Sequence, residues 1–256
     1  MSRKVIVAGN WKMNKLPGEG AALATELRQQ LSAEILKEAE VVVCPPFTAI
    51  SAVAEALRGS AIKVGAQNVH WAASGAFTGE ISAEMLKSVG AEYVIIGHSE
   101  RRQYFGETDA TVNSRLKAAL AAGLRPIVCI GELEAERKNG ETNAVLSRQI
   151  RGGFAGIDAA AMAQVVVAYE PVWAIGTGLT ATPAIAEDAH RFIRAEFAAL
   201  FGAAVADALR IQYGGSMKPE NARELVACPD IDGGLIGGAA LKAESFVKLI
   251  HEALAR

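Results

Sequence analysis

Eight short runs of apolar and β-branched residues recur along the chain, and the longer segments between them carry apolar residues at helical spacing. Most of the runs are nearly continuous, without the alternation of a strand that keeps one face in water. Strands that are buried on both faces of a parallel sheet have this pattern. The runs cover residues 5–7, 41–43, 62–64, 93–96, 126–130, 165–167, 210–212 and 234–236. The pattern therefore predicts eight strands of a mostly parallel sheet.

The segments between the runs predict helices, the clearest of which cover residues 19–31, 108–122 and 183–201. Thr182 stands before a proline, as an N-cap residue does, and Gly123 stands where the second of these helices should end. Dividing 256 residues among eight strands gives 32 per unit, close to the ~30 that a strand and its crossover helix need. This alternation favours a closed (β/α)8 barrel, with a doubly wound open sheet as the alternative.

Composition narrows the classes of protein that fit. Hydrophobic residues make up 51% of the chain and charged residues 21%, which indicates a folded protein with a large core. The formal net charge is −2, so no basic surplus favours nucleic acid or a membrane surface as a partner. No change in composition and no flexible linker divides the sequence. We therefore expect residues 1–256 to form one domain.

Cysteine usage indicates a reducing compartment. Cys44, Cys129 and Cys228 are odd in number, far apart and in no CxxC pair, so we expect free thiols. The apolar run at residues 5–8 is too short for the core of an export signal. The longest uncharged stretch, residues 171–186, is shorter than the ~20 apolar residues of a membrane helix. These features predict a cytoplasmic protein.

Candidate chemistry lies just after three of the predicted strands. Lys12 follows the first strand, His98 the fourth and Glu170 the sixth. In a parallel barrel the carboxyl ends of the strands meet on one face, so the three side chains should share one pocket. Each alone has a plainer interpretation as a rim charge, a helix cap or an ion-pair partner. Together they form a general acid/base set with a cation.

Glycine-rich loops are predicted on the same face, at residues 174–178, 214–216 and 237–239. Phosphate groups in barrels often bind to free backbone N–H groups of the loops after the seventh and eighth strands. Ser216, Gly237 and Gly238 stand in these two loops and are therefore candidate phosphate-binding residues. The plainer alternative is that the glycines only make tight turns.

The sequence at these positions resembles the triosephosphate isomerase family. The matching motifs are AGNWKMN at residues 8–14, IGHSERR at 96–102 and AYEPVWAIGTG at 168–178. Shorter matches follow the family's order at residues 75–80, 129–132, 213–216 and 232–238. The resemblance implies a TIM barrel that interconverts dihydroxyacetone phosphate and glyceraldehyde 3-phosphate without a cofactor. It also implies a homodimer that acts in glycolysis and gluconeogenesis.

The resemblance also implies a role for each matching residue. Glu170 is then the base, His98 the neutral electrophile at the substrate oxygens, and Lys12 and Asn10 the electrostatic support. Because His98 opens a predicted helix, we expect the positive end of that helix to lower its pKa.

By the same resemblance, residues 171–181 form a lid whose tip residue, Gly176, binds the phosphate. Two residues depart from the usual pattern of the family, Leu179 in the lid and Ala240 after the last glycine pair. Neither is expected to do chemistry.

The loop from Trp71 to Glu80 is, by resemblance, the segment through which two subunits interdigitate. From the residues alone, a loop that exposes Trp71 and Phe77 needs a cover. Glu80 and Arg101 are expected to pair across that interface.

Other functions remain as alternatives from the residues alone. A barrel lyase or aldolase would use Lys12 as a Schiff base, and a non-catalytic barrel would bind phosphate only. His70, His98, His190 and His251 form neither HxH nor HExxH, so no metal site is predicted. Neither GxxxxGK nor GxGxxG is present, so no nucleotide cofactor is expected.

Overall fold

A computed structural model of the chain describes residues 3–175 and 180–255. Eight strands, all paired in parallel and in chain order, form a closed barrel. They are β1 (Val5–Asn10), β2 (Ala39–Cys44), β3 (Lys63–Ala66), β4 (Tyr93–Ile96), β5 (Arg125–Ile130), β6 (Val166–Tyr169), β7 (Arg210–Tyr213) and β8 (Gly233–Ile236). The predicted (β/α)8 barrel is confirmed, and the doubly wound open sheet is wrong because β1 pairs with both β2 and β8.

Helices connect the strands and surround the barrel. They are α1 (Pro17–Gln30), α2 (Ala33–Glu38), α3 (Ile50–Ala56), α4 (Ala83–Ser88), α5 (Ser99–Tyr104), α6 (Asp109–Ala121), α7 (Glu134–Lys138), α8 (Thr142–Gly153), α9 (Pro183–Phe201), α10 (Ala203–Ala208), α11 (Pro219–Val226) and α12 (Ala243–Leu254). The Thr182 hydroxyl accepts a hydrogen bond from the Ile185 N–H, as predicted for an N-cap. Gly123 ends α6 in the left-handed region at φ +77°. None of the helices described is long and apolar enough to cross a membrane.

Each strand buries both of its faces. Ile6 and Ala8 belong to a cluster made only of strand residues, which fills the barrel interior. Val5 and Val7 belong to a second cluster, which lies between the strands and the helices. Continuous apolar runs are therefore required, because neither face of a strand meets water.

At the amino end of the barrel, hydrogen bonds and ion pairs converge on one carboxylate. The Glu40 carboxylate at the start of β2 accepts hydrogen bonds from Tyr93, Arg125 and Arg210. The Arg125 guanidinium also lies over the Tyr93 ring, 4.8 Å from its centroid. These contacts stabilise the end of the barrel opposite to the strand ends that carry Lys12, His98 and Glu170.

Candidate active site

Lys12 is held in an unusual backbone conformation directly after β1. Its φ of 52° lies in the left-handed region, which non-glycine residues rarely adopt. The Asn10 side chain accepts a hydrogen bond from the Lys12 N–H at 3.0 Å, and the Gln67 amide donates to the Lys12 carbonyl at 2.9 Å. The Lys12 Nζ lies 2.6 Å from Oε1 of Glu100. Backbone strain at a charged residue, stabilised from two sides, is typical of a functional position.

His98 is placed by the start of helix α5, for which it is the N-cap residue. Its Nδ1 accepts a hydrogen bond from the Glu100 N–H at 3.2 Å. Its Nε2 lies 2.9 Å from Oε1 of Glu170. Because Nδ1 is an acceptor, a neutral ring carries its proton on Nε2 and donates it toward Glu170.

Glu170 follows β6 and is only 2% exposed. Its Oε2 accepts a hydrogen bond from the Ser99 N–H at 2.8 Å, while Oε1 faces His98. Its own N–H donates to the Ile130 carbonyl at 2.8 Å, which extends the pairing of β5 and β6 beyond the strand ends. The carboxylate is therefore fixed at both its oxygens and its backbone.

The site shifts the ionisation of both groups. Burial alone would raise the pKa of Glu170, but the adjacent His98, the Ser99 N–H and Lys12 together lower it. Burial likewise disfavours a charged His98, yet the Glu170 and Glu100 carboxylates together outweigh it and raise the pKa of the imidazole. The expected lowering of the His98 pKa is therefore wrong, because a carboxylate at 2.9 Å acts more strongly than a one-turn helix end.

One cavity of about 270 Å³ collects the predicted residues at the mouth of the barrel. The predicted residues in its lining are Asn10, Lys12, His98, Glu170, Ser216, Gly237 and Gly238. The backbone from Gly238 to Leu241 forms a 3-10 turn, so N–H groups at its start have no helical acceptor. Gly176 and Leu179 lie outside the described residues.

Two buried polar residues that bond to the chain neighbours or packing partners of Glu170 were not predicted as functional. Glu132 is fully buried and accepts hydrogen bonds from the Tyr169 hydroxyl at 3.1 Å and the Trp173 indole at 2.9 Å. Gln149, on α8, bonds to the backbone of Gly131. The motif at residues 129–132 indicated this region but assigned no role within it, and a single glutamine on a helix carries no signal of its own.

Cys129 is a packed residue of the barrel interior. It is fully buried at the end of β5. Burial, together with the neighbouring Glu170 carboxylate, raises its pKa well above the usual value for a thiol. A thiol held in its protonated form is a poor nucleophile.

Comparison with known proteins agrees with this geometry. The family model described as Triosephosphate isomerase matches residues 5–253. A protein named triosephosphate isomerase from Herpetosiphon aurantiacus is 56% identical over 249 residues, which cover 97% of this chain and 99% of that protein. Proteins of the same name from Solibacter usitatus and Chloroflexus aurantiacus are 55% and 54% identical. These alignments cover 97% and 96% of this chain, and 99% and 98% of the respective relatives.

Proposed function

The chain belongs to the triosephosphate isomerase family, and we propose that Glu170, His98 and Lys12 carry out the isomerisation at the mouth of its barrel. The reaction interconverts dihydroxyacetone phosphate and D-glyceraldehyde 3-phosphate, which makes the enzyme an aldose–ketose isomerase of glycolysis; we extend this role to gluconeogenesis. The observation that carries the proposal is the buried Glu170 carboxylate, 2.9 Å from Nε2 of His98 in a cavity that Lys12 also lines.

Glu170 is suited to act as the base. Its lowered pKa keeps the carboxylate ionised at neutral pH, so it can accept a proton from the carbon beside the substrate carbonyl. Proton removal leaves an enediolate, and the same carboxyl group then returns a proton to the neighbouring carbon.

His98 and Lys12 are suited to stabilise the enediolate. The Nε2–H of a neutral His98 points to Glu170. A substrate oxygen that enters between them would accept this hydrogen bond instead, and would leave the carboxylate free to act as the base. The Lys12 ammonium adds a positive charge that is already in place when negative charge develops on the substrate.

The substrate phosphate is proposed to bind to Ser216, Gly237 and Gly238, which line the same cavity as Glu170. Backbone N–H groups at the start of the 3-10 turn can donate to phosphate oxygens, and Asn10 keeps Lys12 oriented toward the same space. A phosphate-binding role for Gly176, and a lid formed by residues 171–181, stay predictions from the family resemblance.

The Schiff-base alternative for Lys12 is not favoured. The Lys12 Nζ lies 2.6 Å from a carboxylate oxygen of Glu100, and this ion pair stabilises the charged ammonium rather than the neutral amine that a Schiff base requires. Reduction with borohydride in the presence of substrate should leave the mass of the protein unchanged. A stable adduct on Lys12 would support the alternative.

We propose that two chains associate through the loop from Trp71 to Glu80. Trp71 and Phe77 are 43% and 44% exposed, and both rings pack on His70, with centroids 4.2 and 4.3 Å from its ring. A cavity of about 390 Å³ beside Lys12 and Phe105 offers space for such a loop from a second chain. The Arg101 side chain bonds to Glu107 at 2.5 Å within the chain, and its pairing with Glu80 of a second chain stays a prediction.

Light scattering tests the association. Wild-type protein should have twice the 26.8 kDa mass of one chain, and Phe77→Asp should shift it toward the monomer. Leu200→Asp on α9, which changes a similarly exposed apolar residue, is the control and should stay dimeric. A wild-type mass of one chain would contradict the proposal.

We further propose that residues 1–256 form one catalytic domain that acts in the cytoplasm. Support for one domain comes from the closure of all eight strands into a single sheet. Support for the compartment comes from three cysteines that are all free thiols.

A coupled assay on the purified protein tests the proposed roles. Wild-type protein should isomerise both triose phosphates, and Glu170→Gln, which keeps the shape but removes the base, should lose about 10²- to 10⁴-fold in kcat. A Glu170→Gln variant within threefold of wild type would overturn the assignment of the base.

A further inference from the structure

Gln149 is a buried polar side chain that points from a helix to the end of a barrel strand. It lies on α8 and is only 5% exposed. Its Oε1 accepts a hydrogen bond from the Gly131 N–H at 2.8 Å, and its Nε2 donates to the Gly131 carbonyl at 3.0 Å. One side-chain amide therefore satisfies both backbone groups of one residue.

The ladder of the barrel explains why Gly131 needs such a partner. In a parallel sheet, successive residues of a strand bond alternately to the neighbours on either side. Ile130 and Glu132 accept hydrogen bonds from the backbone after β6, so Gly131 faces the β4 side. There, β4 has already ended at Ile96. The Gln149 amide replaces the missing strand, since it carries a donor and an acceptor as a peptide group does.

The backbone of Gly131 packs directly against the backbone of Glu170. A methyl group at Gly131 would lie 1.7 Å from the Glu170 carbonyl oxygen and 2.6 Å from its carbonyl carbon. This distance leaves no room between the two residues for a side chain or for water. The position of Gly131 therefore limits where the backbone of Glu170 can lie.

We propose that Gln149 is a positioning residue for the isomerisation, acting through Gly131 on Glu170. The inference rests on the proposed function, because it assigns to Gln149 the task of holding the proposed base in place. Loss of the two hydrogen bonds leaves a buried N–H and a buried carbonyl without partners, and the end of β5 shifts to satisfy them. A shift near 1 Å at a reacting group reduces the rate by about 100-fold. The proposed phosphate-binding residues follow β7 and β8, neither of which pairs with β5.

Two variants of Gln149 and one control separate positioning from general stability. Gln149→Met keeps the length of the side chain but removes both hydrogen bonds. Gln149→Glu keeps the shape, and when protonated it can both accept from the Gly131 N–H and donate to the Gly131 carbonyl. Ser147→Ala is the matched control, because it removes a hydrogen bond of the same helix, 2.8 Å to Glu196, that does not involve the barrel.

The experiment measures kcat and KM of wild type and variants from pH 6 to 8, with melting temperatures. For Gln149→Met we expect kcat to fall about 10- to 100-fold while KM changes less than about twofold. For Gln149→Glu we expect the ratio of its kcat to that of wild type to rise as the pH falls, since protonation restores the donor. Ser147→Ala should retain the wild-type kcat. A structural role alone would lower the melting temperature of Gln149→Met and leave the kcat of the folded protein unchanged.

Three results would overturn the inference or its premise. A Gln149→Met kcat within threefold of wild type refutes the positioning role. If that variant does not fold, a Gln149→Glu ratio that is independent of pH refutes it. An inactive wild-type protein would instead refute the proposed function, so the two failures are distinguishable.

Discussion

Gly131→Ala should displace the proposed base without changing the chemical identity of any functional side chain. The new methyl group would lie 1.7 Å from the Glu170 carbonyl oxygen, where 3.0 Å is the closest approach that real Cβ atoms show. A displacement of about 1.3 Å must therefore separate the two residues. Both contacting groups belong to backbone, so neither can rotate away as a flexible side chain would.

The displacement sets the expected size of the effect. A misplacement near 1 Å at a reacting group costs about 100-fold in rate, so kcat should fall by about that factor. KM should change less, because the phosphate-binding loops follow other strands. Overpacking at a buried site also destabilises the fold by about 1 to 3 kcal/mol. A melting temperature lower by several degrees should therefore accompany the loss of activity.

The assay is steady-state isomerisation, with circular dichroism to confirm the fold. Gly18→Ala is the matched control, because a methyl group there would have no atom within 4 Å and the residue lies in helix α1. This control should keep full activity and gain up to about 1 kcal/mol of stability. A folded Gly131→Ala variant with kcat within threefold of wild type would refute the claim that this backbone contact places Glu170.

Three further predictions concern the charged groups. Lys12→Ala should lower kcat about 10²- to 10³-fold and also raise KM, and a change in KM alone would make Lys12 a simple phosphate anchor. Nitrogen NMR of ligand-free protein should show a raised pKa for His98, which Glu170→Gln lowers; an unchanged pKa in that variant would contradict the pairing. Burial lowers the pKa of His190 from 6.5 to about 3. As the pH falls, His190 is therefore protonated in the unfolded chain before it is protonated in the folded protein. The free energy of unfolding should therefore decrease between pH 6.5 and 3, by up to about 1.4 kcal/mol per pH unit from this residue, and His190→Gln should remove that part of the slope.

The sequence predicted the architecture because each strand is buried on both faces and each connection is a helix. The predicted strands lie within or beside the observed ones, and helix α9 begins and ends as predicted. The ends of the strands were predicted less accurately. The apolar pattern of β1 stops before Gly9, yet the backbone of Gly9 and Asn10 still pairs with β2. Composition cannot show pairing of this kind.

The positions of Lys12, His98 and Glu170 were predictable because the carboxyl ends of parallel strands meet on one face. The contacts between them were not. The pKa of His98 depends on a carboxylate far away along the chain, and the sequence alone offered only the local helix end. Gln149 was missed for a similar reason, since its role depends on where β4 ends relative to Gly131 of the neighbouring strand.

The central claim is that Glu170 moves a proton between two substrate carbons through an enediolate. Turnover of dihydroxyacetone phosphate in D₂O, followed by NMR, tests it most directly. A carboxyl base that exchanges its proton with solvent should place deuterium on carbon 2 of glyceraldehyde 3-phosphate, at a rate that falls at least about 100-fold in Glu170→Gln. Two results would contradict this account. One is that wild-type protein forms product with no deuterium in either the product or the recovered substrate. The other is that Glu170→Gln forms product as fast as wild type.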